Sequence, residues 1–193
     1  MAQRKSSRSS RSKSSRSKSR GRSGRKSRSQ GTSQPKDALA LLRADHEMVS
    51  ELVDKYERGK NRADNDKKER LAQQICEELT IHAQIEEEIF YPAVREANEE
   101  AEDALADAEV EHGSIKKLIE EIEGSSPDSE LFDAQIKVLG EYVKHHVKEE
   151  QTEIFRMARE ADIDLKDLGH ELAARKAELK GEEWEEEEEE EAA

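Results

Sequence analysis

Cysteine is almost missing from this chain of 193 residues: Cys76 stands alone, so no intrachain disulfide can form and a reducing compartment is expected. No apolar run approaches the roughly 20 residues that cross a bilayer, and the basic N-terminus lacks the apolar segment of a secretory signal. A cytoplasmic protein with no membrane contact is the expectation. Aromatics are scarce at 4%, and none falls among the basic residues of the N-terminal stretch, which removes the stacking platform of a single-strand nucleic-acid binder. No Gly-rich phosphate loop, no CxxC pair and no nucleophile–base pairing is present either.

Charge is what the chain has in abundance, 41% of residues with a formal net charge of −14. Its distribution is uneven. Residues 1–34 hold twelve Lys/Arg and no acid, and residues 182–193 hold nine Glu and no base, leaving 21 bases and 38 acids for residues 35–181. The two ends offer almost nothing apolar to offset the entropy of folding and read as disordered tails, basic and acidic. The basic tail could also contact nucleic acid or another polyanion without sequence readout. Between the tails the apolar residues are numerous enough for one modest core.

That core reads as helical. Leu39, Leu42, His46, Val49, Leu52 and Tyr56 share a face of a first helix over about residues 38–56. Asp64 or Asp66 caps a second, with Leu71, Ile75, Leu79, His82, Glu86 and Phe90 inward, and Pro92 is expected to kink or interrupt it near residues 88–91. A third helix spans about residues 99–123, with His112, Ile115, Ile119 and Ile122 on one face. A fourth spans about residues 128–160, with Leu131, Val138 or Leu139, Tyr142, His146, Glu150 and Ile154 aligned. A last helix, about residues 165–180, ends at Gly181. The arrangement divides into a basic tail at 1–34, a bundle at 35–160, a C-terminal helix at 161–181 and an acidic tail at 182–193.

Two stretches carry the chemistry. IHAQIEEEIFYP (81–92) and HVKEEQTEIFR (146–156) each contain His-x-x-x-Glu, as His82/Glu86 and His146/Glu150. Residues four apart lie one above the other on a helix, so each pair presents an imidazole and a carboxylate together. DHEMVSELV (45–53) likewise matches EHGSIKKLI (111–119), each with an acid before the His, a β-branched residue at +3 and Leu at +6. His46 and His112 are offset by 66 residues and His82 and His146 by 64, the mark of two helical hairpins related by a pseudo-twofold. An antiparallel four-helix bundle follows.

A single His on an apolar face is usually a hydrogen-bonded core residue. Four such faces, two extended by a Glu, would place strong pKa conflicts in a small core unless a cation resolves them. The metal ligands expected are therefore His46, His82, Glu86, His112, His146 and Glu150. Cys76, six residues before His82, is off their face. Imidazole and carboxylate without thiolate suit Fe, Mn or Zn. Two His and one carboxylate per half suggest two ions, with the carboxylates from facing helices as bridges.

The combination of DH on the first helix, HxxxEExxxYP on the second, EH on the third and HHVKEE on the fourth resembles the hemerythrin-like, HHE cation-binding domains, over about residues 37–160. Ferritin-like di-iron proteins use Glu-x-x-His instead. The resemblance implies non-haem iron, two ions per chain rather than Mn or Zn, held by the four His through ring nitrogens and bridged by Glu86 and Glu150. Oxygen-carrying hemerythrins have a second His one turn further along the third helix, where this chain has Lys116, so a water, His145 or Glu111 is left to complete the set. His145 lies about 100° round the helix from His146 and is expected to face a neighbour. Arg156 replaces the Pro that follows the second motif, so the fourth helix is expected to run straighter than the second. Asp45 and Glu111, each beside an expected ligand, are expected to point elsewhere.

The function this supports is a metal-binding protein whose di-iron centre binds O2 or a related small ligand, or senses or stores iron, working as a monomer or weak oligomer. A di-iron enzyme acting on peroxide or nitric oxide is the alternative. For it, Tyr56, Tyr91 and Tyr142 are the candidate proton donors, each also placed as core. A further alternative is a protective protein carried to nucleic acid by the basic tail.

Overall fold

The computed structural model describes residues 37–182; the expectations for the basic and acidic tails lie outside them. The described residues form helices and turns without a strand. Helix α1 (Ala38–Gly59) starts at Asp37, whose carboxylate accepts from the Ala40 N–H, and α2 (Asn65–Ile85) starts at Asp64, which accepts from the Lys67 N–H. Both satisfy helix-end donors that would otherwise be orphaned. The second helix then widens into one π-turn, Glu86–Phe90, before α3 (Tyr91–Ala97). Pro92 explains the widening. It has no N–H, and its ring would strike the carbonyl one α-turn back; in the wider turn Tyr91 N–H bonds the Glu86 carbonyl instead.

A 3-10 turn (Glu99–Ala101) leads into α4 (Glu102–Glu123), followed by α5 (Phe132–Thr152), α6 (Ile154–Glu160) and α7 (Leu165–Lys180). Asp164 caps α7 with bonds from the Lys166 and Asp167 N–H groups, and Gly181 ends it in the left-handed conformation at φ 68°, the position where glycine carries no steric cost. Around the bundle α1 packs on α2 and α5, and α4 on α2 and α5, while α7 lies across α1 and α2.

Two expectations for the fourth helix are corrected. Its buried stripe is Phe132, Ile136, Leu139, Val143, His146 and Glu150, while Leu131, Val138 and Tyr142 are exposed. Steps of three and four alternate along this seam, so it stays centred on the bundle axis; repeated steps of four back from His146 drift off it. Nor is the helix unbroken. It is interrupted at Glu153, with φ −106° and ψ −65°, one turn after Glu150 and without a proline.

The core is split in two. One apolar cluster includes Leu42, Ile85, Phe90, Tyr91, Leu105, Phe155 and Leu172; the other includes Val49, Tyr56, Ile75, Leu79, Ile119, Phe132 and Leu139. On each of the four bundle helices a histidine falls between the clusters in sequence, His46, His82, His112 and His146, with Glu86 and Glu150 one turn beyond the second and the fourth. A polar layer is thus sealed between two apolar ones. Tyr56 O–H ties the second cluster shut by donating to Asp133 at 2.6 Å.

Helix α7 approaches α1 backbone to backbone at Gly169. A Cβ there would stand 2.7 Å from the Ala38 nitrogen and 2.8 Å from the Asp37 carbonyl carbon, neither of which is the end of a flexible side chain. Gly169→Ala is therefore expected to destabilise by about 1–3 kcal/mol, more than the ~1 kcal/mol that alanine gains in helix propensity. Thermal unfolding followed by circular dichroism tests this; a raised Tm would show that the close approach does not limit α7 docking.

Candidate metal centre

All six expected ligands meet in the polar layer, each at most 5% exposed. The imidazoles turn Nε2 inward. His46 Nε2 is 3.2 Å from Glu150 Oε2 and 3.9 Å from Glu86 Oε1, and His82 Nε2 is 3.2 Å from Glu86 Oε1. Across the layer His112 Nε2 is 3.5 Å from Glu86 Oε2 and 3.1 Å from His146 Nε2. The rings pair accordingly, His46 with His82 at 4.6 Å and His112 with His146 at 4.5 Å between centroids.

These separations fit cations. Donors about 2.1 Å from one ion stand roughly 3.0–3.4 Å apart, depending on geometry. Three of these separations fall in that range, and the His112–Glu86 and His46–Glu86 approaches at 3.5 and 3.9 Å are longer. Two sets of three ligand atoms arise, His46/His82/Glu86 and Glu86/His112/His146. Glu86 belongs to both and turns one oxygen to each. Glu150 faces the first set through His46. Both oxygens of Glu86 and of Glu150, and Nε2 of His46 and His82, are buried without a hydrogen-bond partner, which is costly unless a cation supplies one.

The outward nitrogens are held by a ring of neighbours. Asp45 on α1 faces His82 on α2, Oδ2 to Nδ1 3.6 Å, close enough for attraction though short of a formed hydrogen bond. Glu87 accepts from His112 Nδ1 on α4 at 3.0 Å, and Glu111 on α4 accepts from His146 Nδ1 on α5 at 2.9 Å. The Gln151 amide on α5 lies 2.9 Å from His46 Nδ1 on α1, closing the circle. As placed, the Gln151 Nε2 donates to His46 Nδ1; only the flipped amide, its oxygen toward the ring, would accept the Nδ1 proton as the carboxylates do at His112 and His146. Each helix thus orients the histidine of the next, and an acceptor at Nδ1 leaves the Nε2 lone pair for a metal.

This corrects the expectation for Asp45 and Glu111, which point away from the centre but onto the adjacent ligand. The signal was present in the sequence: each orienting residue is one position from an expected ligand, before it on α1 and α4, after it on α2 and α5. Because alternate helices run in opposite directions, those two steps turn the same way around the bundle.

The spare residues do not join the buried set. His145 is 61% exposed, its Nε2 3.3 Å from both Glu111 and Glu149. Lys116 pairs with Glu87 at 2.7 and 2.5 Å, so it steadies the carboxylate that holds His112. Asp45 is matched by the Lys176 ammonium of α7. Cys76 is buried and its thiol is pushed up to about 12 by burial, so it offers no thiolate.

Burial, with the facing histidine charges, holds His82 and His112 below their ordinary pKa, His112 at about 4, although Asp45 and Glu87 pull the other way. Both rings are neutral near pH 7. Burial and the neighbouring Glu150 raise the Glu86 carboxyl well above its usual range. Burial works to raise Glu150 too, but the facing His46 outweighs it and keeps that carboxyl low. Without a cation the pair holds its proton on Glu86.

Comparison with known proteins agrees with this geometry. Residues 37–158 match the family model described as the hemerythrin HHE cation binding domain. The crystal structure of a hemerythrin HHE cation binding domain-containing protein from Mycobacterium kansasii is similar in fold, with a TM-score of 0.63 and 22% identity, covering 75% of this chain and 88% of that one. No curated protein matches the chain.

In the metal-free protein the histidines and Glu86 act with opposite sign. The neutral histidines contribute stability that is full above their ordinary pKa of 6.5 and is lost as pH falls toward about 4 for His112. Glu86 contributes through its protonated form, fully below its ordinary 4.5, and loses that contribution as pH rises through its raised folded value. Glu86→Gln is therefore expected to stabilise the metal-free protein at pH 8 by on the order of 1 kcal/mol or more while costing it metal. Urea unfolding after chelation tests this; a less stable variant at pH 8 would show that the carboxylate is not in conflict with its site.

Proposed function

The chain belongs to the hemerythrin HHE cation-binding family, and from that membership we propose that its polar layer holds two non-haem iron ions and offers them to O2 or a related small ligand, or uses them to sense or store iron. The observation that carries the dinuclear reading is Glu86, shared between two buried sets of donors. Glu150, which here faces the first set through His46, would be the second carboxylate bridge. The donors are imidazole nitrogen and carboxylate oxygen, which iron accepts; Mn and Zn would accept them too. Bound there, iron supplies a Lewis acid and a redox couple. The four imidazole nitrogens and four carboxylate oxygens are fewer than the roughly twelve positions of two octahedral ions, so coordination remains for an exogenous ligand.

The chain's own residues set what reaches the centre. A cavity of about 10 Å³ adjoins the four histidines, walled by Val49, Leu79, Ile115 and Val143. That volume is near the lower limit for one water molecule, and its apolar walls favour a small uncharged ligand. A larger hollow of about 480 Å³ lies by Tyr56, Lys60 and Lys68 and contains none of the six donors.

One observation favours the enzymatic alternative. Tyr91, which follows the π-turn, stacks on His112 with ring centroids 5.6 Å apart, and its hydroxyl is 3.5 Å from His112 Nε2. Burial, then the Glu86 charge, hold its pKa well above the ordinary value, so it keeps its proton. In a reaction with peroxide or nitric oxide, Tyr91 is the group placed to donate one.

Iron content after anaerobic purification, with the optical spectrum before and after admitting air, tests the main reading. About two irons per chain and a new visible absorption in air are expected, with iron lost in Glu150→Ala. One ion per chain, or zinc with no response to air, would overturn it. For the alternative, Tyr91→Phe should retain iron yet consume hydrogen peroxide about tenfold more slowly or worse; equal turnover in the two proteins would dismiss Tyr91 as donor.

A further inference from the structure

The two halves of the bundle differ in how their ligands are covered. A cavity of about 70 Å³ opens between α4 and the α5–α6 rod, and Asp107, Glu111, Glu149 and Glu153 line it with Glu150. No lysine or arginine lines it. Asp107 and Glu111 are one turn apart on α4, as are Glu149 and Glu153 on the facing rod, so like charges are stacked on both walls at some cost to stability. At the mouth His145 Nε2, Glu111 Oε1 and Glu149 Oε1 form a third set of donors within 4.8 Å of one another.

An acidic face alone would be an ordinary solvated surface. Two observations set this one apart. Glu150 reaches the same cavity, and both its oxygens are buried with no hydrogen-bond partner. The other half also lacks the feature. Shifted by the repeat offsets of 66 and 64 residues, Asp107, His145, Glu149 and Glu153 become Leu41, Ile81, Ile85 and Ile89, while Glu111 becomes Asp45. That face is apolar, and α7 packs over α1 and α2 there. The same fold position is sealed on one side and lined with carboxylates on the other.

We propose that the acidic cavity is the entry port for the divalent cation: His145, Glu111 and Glu149 capture it, and the cavity passes it to Glu150. Glu111 spans the path, one oxygen toward exposed His145 and the other on Nδ1 of buried His146. Carboxylate and imidazole oxygen and nitrogen suit a hydrated divalent ion, and a concave set of like charges concentrates counter-ions at its mouth. The port rests on the metal centre proposed above.

Cobalt(II) uptake by the metal-free full chain, followed by stopped-flow visible absorption, tests it. The triple variant Asp107→Asn/Glu149→Gln/Glu153→Gln is expected to load about tenfold or more slowly to the same final stoichiometry, with a weaker dependence on salt. His145→Asn should slow loading to a smaller degree. A control of equal charge change, Glu47→Gln/Glu51→Gln/Glu120→Gln, should load at the wild-type rate. Equal rates for the port triple and wild type would overturn the port alone, as would equal slowing by the control. A wild-type chain that takes up no cobalt would overturn the buried centre, and the port with it.

Discussion

Four imidazoles and two carboxylates sit in a layer between two apolar cores, and the rest of the fold is arranged around that burden. Neither carboxylate has a hydrogen-bond partner; burial and then the Glu150 charge raise the Glu86 carboxyl, while Glu150, though buried, is kept low by the facing His46. A buried network left half-satisfied is worse than an apolar core. Here both oxygens of each carboxylate and Nε2 of His46 and His82 converge unsatisfied. The outward nitrogens of the four rings are instead occupied or closely faced by Asp45, Glu87, Glu111 and Gln151, the His82 Nδ1–Asp45 Oδ2 approach being the loosest at 3.6 Å. Satisfaction outside and deficit inside is what distinguishes a ligand set from a poorly packed polar core.

Helix geometry makes that division possible with few residues. One position along a helix turns about 100°, enough to carry a side chain from the bundle axis to the adjacent helix. On each bundle helix one expected ligand (His46, Glu86, His112, Glu150) therefore has an orienting residue beside it in sequence, and reversal of direction between neighbouring helices decides whether it precedes or follows. The π-turn at Glu86–Phe90 belongs to the same arrangement. It absorbs Pro92 and sets Tyr91 against His112, while Glu86 N–H at its start still bonds the His82 carbonyl, so the His82–Glu86 step keeps its α spacing.

What could be read without coordinates follows this logic. His-x-x-x-Glu is a local relation within one helix, so the bundle and the meeting of these six side chains in one layer were legible from spacing and repeat. The orienting ring was not, because Asp45 finds His82, and Gln151 finds His46, only across helices whose rotation is set by packing. The stripe of the fourth helix failed for a related reason. Tyr142 and Val143 are equally plausible one turn before His146, and the seam against α1 and α4 selects Val143. Gly140 confirms how close that seam is, since a Cβ there would meet Val53 Cγ1 at 2.6 Å. The Glu153 interruption had no proline to announce it.

The repeat also shows where symmetry ends. Asp45 is buried and paired with Lys176 of α7, and the adjoining Glu88 binds Arg175 of the same helix at 2.7 Å. The counterpart of Asp45 in the other half, Glu111, has no covering helix among the described residues: it remains 23% exposed and faces His145 rather than a lysine. In the first pair His82 is thus faced by a carboxylate locked under α7 and His46 by Gln151 of α5, while both histidines of the second pair are held by carboxylates in contact with solvent. Two ions bound in this layer would share Glu86 but not an environment. The half held by α7 keeps its ligands fixed, and the other leaves a polar path between the centre and water.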